Sequence, residues 1–130
     1  MSKIRSSGTG IEKILMRALW NLGMRYRKNR RDIPGTPDIS FQKAKVAVFC
    51  DSEFWHGKNW YLLKRQLQNG PKPEYWIPKI KKNRERDREV NRQLRGSGWI
   101  VLRFWGKEIT EHPDECAKMT QAAVRFSLRQ

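Results

Sequence analysis

A compact α/β layer fold is the class this sequence predicts, and three observations predict it. Apolar residues recur at helical spacing in an early segment and again in a long central one. Residues 45–50 form a nearly unbroken apolar run, the pattern of an internal strand covered on both faces. Turn signals cut the chain into helix, strand, strand, helix, strand, helix with no internal repeat, the order of a layered α/β domain.

The elements follow in order. Residues 1–10 are small, polar and basic and read as a flexible arm, and residues 11–130 read as one domain, because 130 residues hold one core and not two. Thr9-Gly10-Ile11-Glu12 reads as a capping box. After it Ile11, Ile14, Leu15, Ala18, Leu19 and Leu22 keep helical spacing, and Gly23 is the stop. A basic run follows at residues 25–32, and Pro34-Gly35-Thr36-Pro37 turns the chain into a strand around Asp38-Ile39-Ser40-Phe41. The apolar strand comes next. Residues 54–76 mix aromatics with Lys, Arg, Gly and Pro and read as a loop-rich excursion with at most one short helix. Pro78 is placed to open a long helix to about Arg95, ended by Gly96-Ser97-Gly98. Residues 99–105 read as a strand and residues 113–128 as a closing helix.

Composition narrows the partner. There are 28 Lys+Arg against 13 Asp+Glu, a net charge of +15, which suits a polyanion such as nucleic acid. No apolar run approaches the roughly 20 residues of a membrane span, and the N-terminus has no apolar signal segment. A membrane partner and export are therefore not expected. Two cysteines make neither a disulfide framework nor a paired-cysteine zinc site, so a reduced, cytoplasmic protein is expected, with Cys50 as a small buried hydrophobe.

The strand pair carries the chemistry. Asp38 follows a proline and opens one strand; Asp51, Glu53 and His56 cluster at the end of the next. Asp38 alone reads as a turn aspartate, but pairing would bring it to the others. Asp38 with a strand-end backbone carbonyl could then seat Mg²⁺, which takes hard oxygen ligands. On so basic a chain that is a nuclease centre. On the long helix Ile80, Asn83, Asp87, Val90 and Leu94 fall on one face. A carboxylate on that inward stripe requires a partner, either an arginine or the imidazole of His56, which it would orient for acid–base work. Glu12 is explained by the capping box, yet lies in the first turn of a helix that could point at the same centre. The aromatic pairs Phe54-Trp55 and Tyr75-Trp76, set among Lys58, Lys79 and Lys82, fit either core packing or a wedge that enters a base stack beside phosphate-binding cations. Trp99, Phe104 and Trp105 are assigned to the core.

At these residues the chain resembles the very short patch repair (Vsr-type) DNA endonucleases. The likeness runs over about four-fifths of the chain and includes Ile11-Glu12-Lys13, Pro34-Gly35-x-Pro37-Asp38, Phe54-Trp55-His56-Gly57, Tyr75-Trp76-x-x-Lys79-Ile80, Asn83-x-x-Arg86-Asp87 and Gly98-Trp99-x-Val101-Leu102. The resemblance implies a restriction-endonuclease-like core, a small mixed sheet flanked by helices, and Mg²⁺-dependent nicking of one strand of double-stranded DNA at T·G mismatches. It implies that Glu12 acts beyond the first ligands, that Asp38 and the Cys50 carbonyl hold the metal, and that His56 is the acid–base group held by Asp87. Phe54, Trp55 and Trp76 would be the wedge. It further implies a monomer in the bacterial cytoplasm, at the nucleoid, working beside DNA repair proteins. Members with structural zinc use three Cys and one His; Glu53, Lys58, Trp60 and Lys107 stand here instead, so no zinc is expected, and a Glu53–Lys pair or Trp60 packing would replace the clamp. Asp51 stands where some members have histidine and is a further candidate metal ligand. A nuclease of other specificity (restriction, mobile-element or defence) and an inactive DNA-binding module are the alternatives.

Overall fold

The computed structural model describes residues 10–130, so the arm expected over residues 1–10, Gly10 apart, and the cap residue Thr9 lie outside the described residues. The elements are α1 (Gly10–Asn21), β1 (Arg27–Lys28), β2 (Ile39–Phe41), β3 (Val46–Asp51), α2 (Trp60–Gln68), α3 (Pro73–Gly96), β4 (Ile100–Trp105), α4 (Gly106–Glu111) and α5 (Pro113–Leu128). They form a four-stranded mixed sheet in the order β1-β2-β3-β4, with β1, β2 and β3 antiparallel in turn and β4 parallel to β3. The α2–α3 excursion is the crossover that parallel pairing requires.

Alternation along β3 explains both its unbroken apolarity and the position of the site. Val46, Val48 and Cys50 face a core shared with Leu15 and Leu19 of α1, Ile109 of α4 and Cys116 and Ala117 of α5. Ala47 and Phe49 face the other way, against Ile33, Val101 and the α3 residues Val90 and Leu94. Fully buried side chains such as Leu15, Leu19, Ile39 and Val48 each stabilise the fold by about 1.5–3 kcal/mol. By the same period of two, Asp51 at the end of β3 and Arg103 of β4 belong to the α3 face.

Several expectations change. The basic run contains a two-residue edge strand, β1. Ile14 of α1 and Leu22 just beyond its end are exposed and Glu12 is buried, so the inward stripe is Glu12, Leu15, Ala18 and Leu19. The long helix starts five residues earlier than Pro78: Pro73 takes its first turn, where a missing N–H costs nothing, and Pro78 sits inside the helix. A short helix, α4, opens directly after β4 and was not anticipated. Gly57 has φ +66, and a Cβ there would lie 2.6 Å from Arg84 Cδ and 3.0 Å from Ile80 Cγ2. Only glycine lets the turn after His56 press this closely on α3.

Candidate active site

The site lies at the carboxyl end of β3, beside α1 and α3. Register places Ile39 opposite Val48, so Asp38, just before β2, reaches the end of β3, where its Oδ2 accepts the Cys50 backbone N–H at 2.7 Å. Glu12, 2% exposed on α1, also hydrogen-bonds the Asp38 carboxyl. A second cluster adjoins the first. His56 Nδ1 lies 2.7 Å from Asp87 Oδ2, and His56 Nε2 lies 3.6 Å from Asp51 Oδ1. Asn83, one turn before Asp87, donates to the Trp55 carbonyl at 3.1 Å and fastens the His56 loop to α3. All four residues read from the sequence as catalytic therefore converge, and the inward stripe on α3 is the reason that Asp87 does.

Asp87 has both of the partners considered for it. The 2.7 Å bond to His56 is the strong contact; Arg103 Nη1 stands 3.6 Å from its other oxygen. A carboxylate accepts, which places a proton on Nδ1 and leaves Nε2 as the nitrogen that can exchange one. Arg103 was not singled out from the sequence. Its Nη1 donates to both Asp51 oxygens at 3.0 and 3.3 Å, its Nε donates to Asn91 Oδ1 at 2.8 Å, and its Cζ lies 4.1 Å from the Phe49 ring centroid. Nothing in the local sequence marks it; only the parallel register of Phe49 with Arg103 places it under the site.

Burial and crowding set the titrations. Burial drives the Asp38 carboxyl up to about 8; the Cys50 N–H opposes this, and the charge and hydrogen bond of Glu12 and the charge of Asp51 add to it. Burial also raises Asp51, against the attraction of His56 and Arg103. For His56 burial acts downward but is outweighed by the Asp87 hydrogen bond and the charges of Asp51 and Asp87, so its value is raised. The Cys50 thiol is pushed up chiefly by burial, as an inert buried thiol should be.

These shifts predict the pH response of the metal-free protein. Between about pH 4 and pH 8 folded Asp38 binds a proton that the unfolded chain, with its ordinary value of 3.8, does not. Its contribution is complete at low pH and falls as pH rises through that window. Raised His56 has the same sign: its contribution is present below 6.5 and lost as pH rises through its folded value. Thermal unfolding in a chelator from pH 5 to 9 should show the parent losing stability relative to Asp38→Asn as pH rises; parallel curves would refute the raised Asp38 carboxyl.

Around the site lies an aromatic cluster separate from both cores. Ring centroids are 5.4 Å apart for Phe54–Trp55 and for Phe54–Trp76, and 5.6 Å for Trp55–Trp76. Phe54 is 38% and Tyr75 52% exposed, and Lys79 Nζ stands 5.8 Å from the rings of both Trp55 and Tyr75. Lys82 is exposed on α3. Of the three rings assigned to the core, Phe104 is buried, while Trp99 and Trp105 are half-buried. At the four positions of the zinc comparison, Glu53 Oε2 accepts the Lys107 backbone N–H at 2.7 Å rather than its ammonium, Lys58 Nζ lies 5.7 Å over the Trp105 ring, and Arg84 Cζ lies 5.6 Å from the Trp60 ring. Glu53 thus ties the His56 loop to the start of α4.

Comparison with known proteins identifies the family. The family model of the DNA mismatch endonuclease Vsr matches residues 1–62. The type II nicking enzyme V.HpaIIP of Haemophilus parainfluenzae is 44% identical over 120 residues, 92% of this chain and 84% of that protein. The type II nicking enzyme V.NmeDIP of Neisseria meningitidis serogroup C is 47% identical over 125 residues, 96% of this chain and 83% of that protein. The DNA mismatch endonuclease Vsr of Escherichia coli K12 is 35% identical over 105 residues, 81% of this chain and 65% of that protein. With the small mixed sheet and its flanking helices, these similarities show that the chain belongs to the Vsr family of DNA endonucleases.

Proposed function

We propose that this protein is a Mg²⁺-dependent DNA endonuclease that nicks one strand of a duplex at T·G mismatches. The observation that carries the reading is the juxtaposition of a crowded carboxyl group with a carboxylate-held imidazole: Asp38 raised to about 8 beside Glu12, and His56 2.7 Å from Asp87. The oxygen donors fit a hard divalent cation. A cation seated at Asp38 would offset the burial, and the charges of Glu12 and Asp51, that raise it. In an extended strand the N–H and C=O of one residue project to the same edge, so the Cys50 carbonyl would lie on the side of Asp38 as its N–H does. When bound, Mg²⁺ polarises the phosphoryl oxygens and eases attack by water. Glu12 orders the Asp38 carboxyl. His56 moves the proton through Nε2, and Asp87 fixes its tautomer and ring plane.

The duplex is bound, on this reading, by residues 11–130 acting as a single monomeric domain. Phe54, Trp55 and Trp76 form the wedge: they belong to neither core, and Lys58, Lys79 and Lys82 supply phosphate contacts around them. Among the described residues no helix is long and apolar enough to cross a membrane. We place the protein with DNA in the bacterial cytoplasm, beside repair proteins that refill the nick. Zinc has no role in this reading, since Glu53 on the α4 backbone ties the segment instead.

The relatives named type II nicking enzymes, whose names carry no mismatch, favour a second reading, a nicking nuclease of other specificity. One assay separates them. A duplex with a single T·G mismatch should be nicked with Mg²⁺ far faster than its matched control and a random duplex. Equal rates on mismatched and matched duplex would sink the mismatch reading, and no metal-dependent cut on any duplex would leave a binding module.

A further inference from the structure

The carboxyl end of β3 holds a second set of metal-competent groups besides Asp38. One ligating atom each from Asp51, His56 and Asp87 lies within 4.8 Å of the others. Two carboxylates and an imidazole at that spacing suit a borderline ion such as Zn²⁺ or Co²⁺. An ion there would occupy one of the two His56 ring nitrogens, Nδ1 held by Asp87 or Nε2 assigned to proton transfer, and either would disturb that role.

Arg103 stands in the way. Its Nη1 lies 3.0 Å from Asp51 Oδ2 and 3.6 Å from Asp87 Oδ1, between the two carboxylates that an ion would have to bridge. Its Nη2 also reaches the Asp87 backbone carbonyl at 3.5 Å, and Asn91 and the Phe49 ring hold the guanidinium in place. A divalent ion entering this set would meet a permanent like charge at contact distance, on a side chain only 19% exposed and so poorly screened.

We infer that Arg103 is a built-in cation that bars a divalent ion from Asp51, His56 and Asp87, confining the metal to Asp38 and reserving His56 for proton transfer. Arg103 is on this account a positioning residue that touches no substrate. The inference rests on the proposed acid–base role of His56, but its test counts ions rather than nicks, so the two can fail separately. Asp51, read from sequence as a candidate ligand, instead has both oxygens on the guanidinium.

The test is equilibrium dialysis against Co²⁺ with the full chain, comparing the parent, Arg103→Met and the double variant Arg103→Met/Asp51→Asn, with the Co²⁺ visible spectrum reporting imidazole ligation. Arg103→Met should bind one more equivalent than the parent and develop the nitrogen-ligated spectrum, and the double variant should lose both. Asp38→Asn, measured alongside, tests the Asp38 seat independently, because the equivalent gained on removing Arg103 does not involve it. Parent stoichiometry in Arg103→Met, or a gain that survives Asp51→Asn, would overturn the inference. If Arg103→Met is unfolded in chelator, refolding by Co²⁺ in far-ultraviolet circular dichroism becomes the readout; recovery supports the inference and none overturns it.

Discussion

His56→Ala is expected to lower Mg²⁺-dependent nicking by about 10²–10⁴-fold, the usual contribution of a positioned acid–base group, while leaving DNA affinity close to that of the parent. The ring is 29% exposed, sits 2.7 Å from Asp87, and has its exchanging nitrogen turned toward the carboxyl end of β3. No second imidazole can substitute there, because His112 lies at the far end of α4. The proposed binding surface is formed by other side chains, the Phe54, Trp55 and Trp76 rings and their lysines, so single-turnover nicking and duplex affinity should separate. A variant that cuts at the parent rate would remove His56 from the mechanism.

Asp38→Asn should be at least as damaging, for a different reason. The amide oxygen can still accept the Cys50 N–H, so the strand ends stay joined, but the anionic charge that would hold a divalent ion is gone. Nicking should fall to background at every Mg²⁺ concentration, and the rise in melting temperature that Mg²⁺ gives the parent should disappear. In the parent that rise should grow toward alkaline pH, because the ion must displace the proton that Asp38 holds up to about pH 8. Undiminished Mg²⁺ stabilisation of Asp38→Asn would move the metal off this carboxyl.

The local signals in the chain were strong where one element faces one environment. The spacing of Ile80, Val90 and Leu94 marked the buried face of α3, and the anomaly of Asp87 on that face pointed to a partner before any partner could be seen. The apolar run of β3 was legible because both of its faces are covered. Glu12 was harder: a capping motif accounts for it locally, and only the turn of α1 that buries Glu12 with Leu15 and Leu19 directs it to Asp38. The start of α3 was obscured because Pro73 and Pro78 are both allowed openings, and choosing between them depends on packing.

Arg103 marks the boundary between the two kinds of information. Charge and strand pattern determine from the sequence alone that this is a basic α/β protein, with Asp38, His56 and Asp87 as its candidate site residues. Which of their neighbours each carboxylate meets is decided only in the tertiary structure. Parallel pairing of β4 on β3 carries Arg103 across 52 residues of chain to Asp51. A long-range register of this sort leaves no periodicity in the sequence, because it depends on how two covered faces of one sheet are stacked rather than on any local preference of the residues involved.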